Sequence, residues 1–318
     1  MSICLLALGS NLGDRSQNLD RAIELLSGSS SIRVLRQSRR LETSPVGGPV
    51  GQSGFLNAAV LVETDESPGR LLALTQAMER WVGRLPSQRW DARPLDIDLL
   101  LFGDLTVRDS QLTLPHPWLP VRRFVLEPCQ EIASEMRHPE LGWTIGRMWE
   151  HLQSEPQRFV VSATQFDDLL PRICSSLACD LIEDPIGTDS DLAIPADDQA
   201  IELSKRRRSL VLKSSWCKKT AKVICGFWLG ETEILVNRQP AMADRPAWLR
   251  NWRQSLAQLP PPKLLIYCRP PSKVNAPSDW PDWQQVICRD NQFPWLQIAS
   301  SDASQFEDEI AAAFLSMQ

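Results

Sequence analysis

The segment PLDIDLLLF, residues 94–102, restricts the architecture of this chain more than any other stretch of its length. Side chains at i and i+2 of a strand share a face, so Asp96 and Asp98 project to one side while Ile97, Leu99 and Leu101 project into a core. Two carboxylates placed together beside an apolar core need positive charge between them, because burying them unpaired is prohibitively costly. Two partners are chemically suitable. One is Mg²⁺, which takes hard oxygen ligands and leaves part of its shell to water and substrate phosphates. The other is a pair of arginine salt bridges, for which Arg89 and Arg93 are near in sequence. Arg84, Arg122 and Arg123 lie in the same half of the chain, and guanidinium forks match phosphate oxygens. Carboxylates and arginines together therefore favour a polyphosphate site over a set of surface ion pairs.

The remainder of the first half alternates strand and helix signals. Ile3–Leu8 reads as a strand, Ser16–Leu26 as a helix, and Ile32–Thr43 and Phe55–Glu63 as strands. Ser67-Pro68 starts a second helix, a capping hydroxyl followed by proline at the first helical position, and Val82-Gly83 ends it. Pro94–Phe102 is the next strand, with short helices at Leu126–Ser134 and Trp143–Leu152. The order βαββαβ implies an α+β ferredoxin-like N-terminal domain, an antiparallel sheet with its helices on one face, over residues 1–155. The polar stretch QSEPQR, residues 153–158, marks the boundary.

From 158 to 318 the pattern becomes that of a parallel sheet. Strands are expected at Arg158–Ala163, Cys179–Glu183, Lys263–Cys268 and Gln285–Cys288, with helices at Phe166–Leu177 and Phe306–Leu315. The basic run Lys205–Lys222 reads either as a solvated helix face or as an anion patch, and its single Trp216 is thin aromatic support for a nucleic-acid surface. A net charge of −5 argues further against nucleic acid and against anionic lipid. No apolar run is long enough to span a bilayer and no signal peptide is evident, so a cytoplasmic location is expected. The eight cysteines lack a Cys-x-x-Cys pair and read as small buried hydrophobes.

Six blocks occur in order in the first half: LALGSNLG (6–13), ETSPVG (42–47), FLNAAV (55–60), TQAMER…GR (75–84), RWDARPLDIDLLLFG (89–103) and LPHPWLPVRRFVLEP (114–128). Together they resemble the 6-hydroxymethyl-7,8-dihydropterin pyrophosphokinase family of folate biosynthesis. The resemblance covers residues 1 to about 150. It implies transfer of pyrophosphate from ATP, the co-substrate, to the pterin hydroxymethyl group with release of AMP, and two Mg²⁺ ions held by Asp96 and Asp98. It also implies a pterin pocket of Thr43, Pro45, Val46, Phe55, Asn57, Asp96 and Phe124. The corresponding ATP site is Gln76, Glu79, Arg84, Trp90, Arg93, Leu99, Thr113, His116 and Arg122, and the catalytic set is Arg84, Arg93, Asp96 and Asp98. Four positions depart from the family pattern. Asp91-Ala92 replaces a Gly-Pro, Pro86 replaces a basic residue, and Phe55 replaces a tyrosine found in some members, which puts rate and loop closure in question.

The second half resembles the deoxynucleoside kinases in cadence only, including LVNRQPAMADRPAW around Arg238. SATQFDDLLPR supplies neither the glycines nor the lysine of a P-loop. The expectation is an α/β three-layer, degenerate P-loop kinase-like C-terminal domain over 158–318, without catalysis, with dimerisation through it kept open. Two alternatives stand beside this reading: a bifunctional enzyme that also phosphorylates deoxynucleosides, and a pterin-binding protein that has lost turnover.

Overall fold

The structure, a computed structural model, describes residues 1–47, 51–84, 91–154, 158–162, 169–183, 197–214, 216, 222–227, 229, 233, 236–237, 244–259, 261–269, 293–299 and 302–317. The chain divides into two compact units, Met1–Gln153 with Ala312–Gln318, and Ser154–Ala311.

The first unit is built on β1 (Ser2–Ser10), α1 (Arg15–Gly28), β2 (Ile32–Gln37), β3 (Leu41–Thr43), β4 (Phe55–Thr64), α2 (Pro68–Val82) and β5 (Asp96–Phe102). A short hairpin, β6 (Val107–Arg108) and β7 (Thr113–Leu114), and the helices α3 (Arg123–Ala133) and α4 (Ile145–Gln153) follow. The sheet runs β2-β4-β1-β5 with β3 on β4, and every pairing is antiparallel. The expected strand Ile32–Thr43 is thus two strands separated at Ser38–Arg40, where the Ser38 amide and hydroxyl both bond to Ala59.

Leu6 and Leu8 of β1, Val60 and Val62 of β4, and Ile97 and Leu99 of β5 pack with Leu19 and Leu26 of α1 and Leu71 and Met78 of α2. α2 is punctuated as its sequence demands. The Ser67 side chain accepts the Arg70 N–H, Pro68 opens the helix, and Gly83 at φ 108° closes it in the left-handed conformation. The helices do not all share one face, however. α3 also packs on β4 and β1, and its Phe124 and Val125 line the same cleft as Ala7, Gly9 and Asn57, on the side of the sheet away from α1 and α2. The expected inward alternation of β5 also fails at its end. The register shifts between Leu5 and Leu6, so that Leu6 faces Leu99 but Leu5 faces Leu101, and Leu100 is an extra residue. Phe102, not Leu101, rejoins the α1/α2 core.

The second unit contains β8 (Arg158–Ser162), α5 (Leu169–Leu177), β9 (Asp180–Ile182), α6 (Asp197–Lys213), β10 (Val223–Cys225), α7 (Arg245–Leu256), β11 (Leu264–Arg269) and β12 (Trp295–Ala299); α8 (Ala303–Ser316) closes the chain. Its sheet, β12-β11-β8-β10-β9, is parallel throughout. β8 is central and buried along its whole length, as a strand covered on both faces must be. β10, β12 and α7 lack a strong sequence signal. β10 is three residues long, and α7 carries three arginines and an asparagine among its twelve residues. The expected strand Gln285–Cys288, Arg238 and residues 163–168 of the P-loop position lie outside the described residues. In the basic run, Lys205 and Arg206 are exposed on α6, whereas Arg207 is buried with its guanidinium 5.2 Å from the Phe227 ring centroid. Among the described residues no helix is long and apolar enough to cross a membrane.

Candidate active site

Three adjacent strands form the floor of a cleft of about 510 Å³ in the first unit. Gly9 of β1 pairs with Asn57 of β4 on one side and Asp96 of β5 on the other, and Ala7 pairs with Ala59 and Asp98. Paired residues present their side chains to the same face, so small residues on β1 leave a trough between the Asn57 amide and the two acids. With strands about 4.8 Å apart, that trough is about 10 Å across. Phe55 at the start of β4 and Phe124 at the start of α3 also border it.

Asn57 is buried, and its Nδ2 donates to Thr43 Oγ1 at 2.9 Å, which leaves its Oδ1 facing the floor near Gly9. On the acid side, Asp96 Oδ1 accepts Arg84 Nη1 at 2.7 Å and Arg93 Nη1 at 3.0 Å. Asp98 Oδ2 stands 3.5 Å from Arg122 Nη1 and 3.9 Å from His116 Nε2. Both acids therefore have arginine partners while remaining part-exposed to the cleft: Arg93 is the one the salt-bridge alternative named, and Arg84 and Arg122 take the places expected of others.

Local backbone devices aim each cation. The left-handed turn at Gly83 bonds the Arg84 amide to the Glu79 carbonyl at 2.9 Å, which sends the Arg84 side chain back toward β5. Glu79 Oε1 accepts both Arg84 Nη1 at 2.5 Å and the Ile97 amide at 2.7 Å. Burial pushes the Glu79 carboxyl up to about 7, against the lowering effect of the Ile97 amide and Arg84. The bulged Leu100 has a use of its own: its carbonyl accepts the His116 amide at 2.9 Å and pins the 114–118 segment beside Asp98. His116 Nδ1 accepts the Trp118 amide at 3.2 Å, which places the ring proton on Nε2, the nitrogen facing Asp98. Burial, with Arg122 adding to it, holds this imidazole down to about 3, so it is a neutral donor. Arg122 lies over the rings of Trp118 at 5.2 Å and Phe124 at 5.7 Å, which fixes its plane.

The sequence-predicted residues divide accordingly. Thr43, Val46, Phe55, Asn57 and Phe124 line the cleft, and so do Arg84, Arg93, Asp96, Asp98, His116 and Arg122. Pro45, Gln76 and Thr113 do not line it, and Gln76 is exposed on α2. Leu99 belongs to the α1/α2 core, so its side chain faces away from the acids. Glu79 acts through Arg84 and Ile97 from behind the cleft wall. Trp90, Arg89 and Pro86 lie outside the described residues. Trp118 and Gln52 line the cleft without having been singled out by sequence, although Trp118 stands within LPHPWLPVRR.

Comparison with known proteins bears on this cleft directly. The sequence profile of the 7,8-dihydro-6-hydroxymethylpterin-pyrophosphokinase (HPPK) family matches residues 5–134. A 2-amino-4-hydroxy-6-hydroxymethyldihydropteridine pyrophosphokinase of Bacillus subtilis is 39% identical over 153 residues, covering 47% of this chain and 91% of its own length. The chain belongs to the HPPK family. A second HPPK, from Methylorubrum extorquens, is 40% identical over 136 residues, covering 43% of this chain and 85% of its own. A solved HPPK-DHPS structure from Plasmodium falciparum spans 98% of this chain and 84% of its own at 12% identity and a TM-score of 0.38, too distant to carry an argument. The HPPK match thus falls on the unit that holds the cleft.

The donor set fits magnesium. Two carboxylates two residues apart on one strand face supply hard oxygen ligands, and Mg²⁺ usually completes its shell with water and phosphate.

Proposed function

We propose that residues 1–155 form an HPPK domain that transfers pyrophosphate from ATP to 6-hydroxymethyl-7,8-dihydropterin and releases AMP. A single observation carries this reading: one cleft joins a trough bordered by Phe55, Asn57 and Phe124 to a wall of Asp96, Asp98, Arg84, Arg93 and Arg122. A flat heterocycle in the trough would stack on the phenylalanines and present its amide-like edge to Asn57. In this reading Thr43, Pro45 and Val46 complete the pterin side, while Gln76, Trp90, Leu99 and Thr113 contribute to ATP binding, Leu99 through its backbone. The pterin hydroxyl oxygen forms a new bond to the β-phosphorus as the bond from that phosphorus to the oxygen bridging to the α-phosphate breaks. AMP leaves with that oxygen and the bonding electron pair, and the hydroxyl proton passes to solvent.

Bound at Asp96 and Asp98, two Mg²⁺ ions would spread the triphosphate charge and activate it for in-line attack. In this reading Arg84, Arg93 and Arg122 exchange their carboxylate partners for phosphate oxygens. His116 offers its Nε2 proton to an oxygen near Asp98. Positioning and charge compensation supply most of the acceleration in this class of reaction.

For residues 158–318 the proposal is an α/β domain related to the deoxynucleoside kinases that lacks a P-loop. The parallel strand order β12-β11-β8-β10-β9 supports it, just as β2-β4-β1-β5 supports a ferredoxin-like first domain. A cytoplasmic location and dimerisation through the second domain belong to the same proposal. Incubation with the pterin, ATP and Mg²⁺ should give AMP and the pterin diphosphate. Asp96→Ala and Asp98→Ala should abolish both, and equal AMP release by either variant would reject the site.

A further inference from the structure

We infer that Asn11 is a positioning residue that holds Arg93 against Asp96 and ties it to the segment around Gln52. The inference rests on the pyrophosphokinase reading of the same cleft.

Asn11 sits in the turn after β1 and is 1% exposed. Its backbone N–H donates to the Arg93 carbonyl at 3.1 Å, and its Oδ1 accepts the Arg93 amide at 2.7 Å. Both polar groups of one backbone residue are thus held by a single asparagine. Its Nδ2 then donates to Gln52 Oε1 at 3.0 Å and reaches toward the Ser53 carbonyl at 3.5 Å. The amide orientation follows from the partners. An Arg93 N–H can only donate and a Ser53 carbonyl can only accept, so oxygen and nitrogen cannot be exchanged.

The turn that carries Asn11 is itself braced. Asn18 Nδ2 donates to the Leu12 carbonyl at 2.9 Å and to Ser10 Oγ at 3.3 Å, and Asp14 caps α1 through the Gln17 amide. Asn11 is therefore a pivot fixed to the sheet and to α1. Against it lean two segments of opposite chemistry: Gln52, which lines the cleft with Thr43 and Val46, and Arg93, whose Nη1 holds Asp96 Oδ1. No other described side chain hydrogen-bonds to the Arg93 amide. Without the Asn11 side chain the Arg93 backbone would be held at its carbonyl alone and would shift, and displacement of a charge-compensating group by about 1 Å is worth about 10²-fold in rate.

A double-mutant cycle tests this. Asn11→Ala should lower kcat by 10- to 100-fold, with KM for ATP and for the pterin each within threefold of the wild type. If Asn11 acts through Arg93, the double variant N11A/R93A should be no slower than Arg93→Ala within threefold, whereas multiplicative losses would overturn the inference. Asn11→Ser, which keeps a polar group at the buried position, replaces alanine in the same cycle if the alanine variant unfolds. Amide hydrogen exchange gives a reading independent of turnover: the Arg93 amide should be protected in the wild type and exchange at least tenfold faster in Asn11→Ala. Unchanged protection would also overturn the inference. Failure of the wild type to release AMP would sink the pyrophosphokinase reading alone, since the exchange measurement still decides the role of Asn11.

Discussion

Replacing Gly9 with alanine probes the cleft without removing any charged group. A Cβ built there would meet Asn57 Oδ1 at 3.5 Å, Phe55 Cδ1 at 3.7 Å and Asp96 Cβ at 3.9 Å, all ordinary contacts. Gly9 also lies outside the positive-φ glycines, so its backbone accepts an L side chain. The folded protein should tolerate the change, and reduced freedom of the unfolded chain is worth about 0.4–1 kcal/mol in its favour. The new methyl would nevertheless rise from the floor between Asn57 and the acids, where the proposed ring lies. Lifting the pterin by about 1 Å misaligns its hydroxyl with the β-phosphorus and should cost about 10²-fold in kcat/KM, or about 2.7 kcal/mol. Steady-state AMP release, read beside a thermal unfolding curve, checks both halves. Unchanged kcat/KM with an unchanged Tm would show that the ring does not cross Gly9. A fall in Tm of more than 10 °C would show that the packing argument itself is wrong.

Other perturbations separate the remaining roles. Glu79 has a folded pKa raised to about 7, so its contribution to apo-protein stability is present below the unfolded value near 4.5 and is lost as pH rises through 7. Glu79→Gln, which can still accept from Ile97 and Arg84, should flatten the pH dependence of unfolding between 5 and 7; an unaltered slope would exclude Glu79 as its source. His138 is buried, accepts the Leu141 amide at Nδ1, and is held down to about 4 by burial, so the stability it contributes above about 6.5 should fall as pH drops toward 4. An NMR titration placing its midpoint above 6 would contradict this. Phe124→Ala should raise KM for the pterin at least tenfold, with a smaller change for ATP; equal effects would place the ring elsewhere.

What the sequence disclosed depended on the range of the interaction concerned. The limits of α2 were legible because Ser67, Pro68 and Gly83 act on their own turns. The shared face of Asp96 and Asp98 was legible because strand periodicity is local. The face occupied by α3 was not, since it depends on how a helix 20 residues downstream returns to the sheet, and neither was the bulge that takes Leu101 out of the α1/α2 core. Leu99 was assigned to ATP by resemblance, yet the pleat turns its side chain inward. Asn11 stood in plain view within LALGSNLG, but a buried asparagine that clamps a backbone 82 residues away leaves no periodic trace. Phe55 keeps an aromatic border without a hydroxyl.

The most direct test of the account is a crystal structure with Mg²⁺, a non-hydrolysable ATP analogue and the pterin. The account predicts carboxylate oxygens of both Asp96 and Asp98 about 2.0–2.1 Å from magnesium, with Arg84 and Arg93 turned from Asp96 to the phosphates. Nucleotide bound while both acids keep only their arginine partners, with no divalent cation beside them, would contradict it.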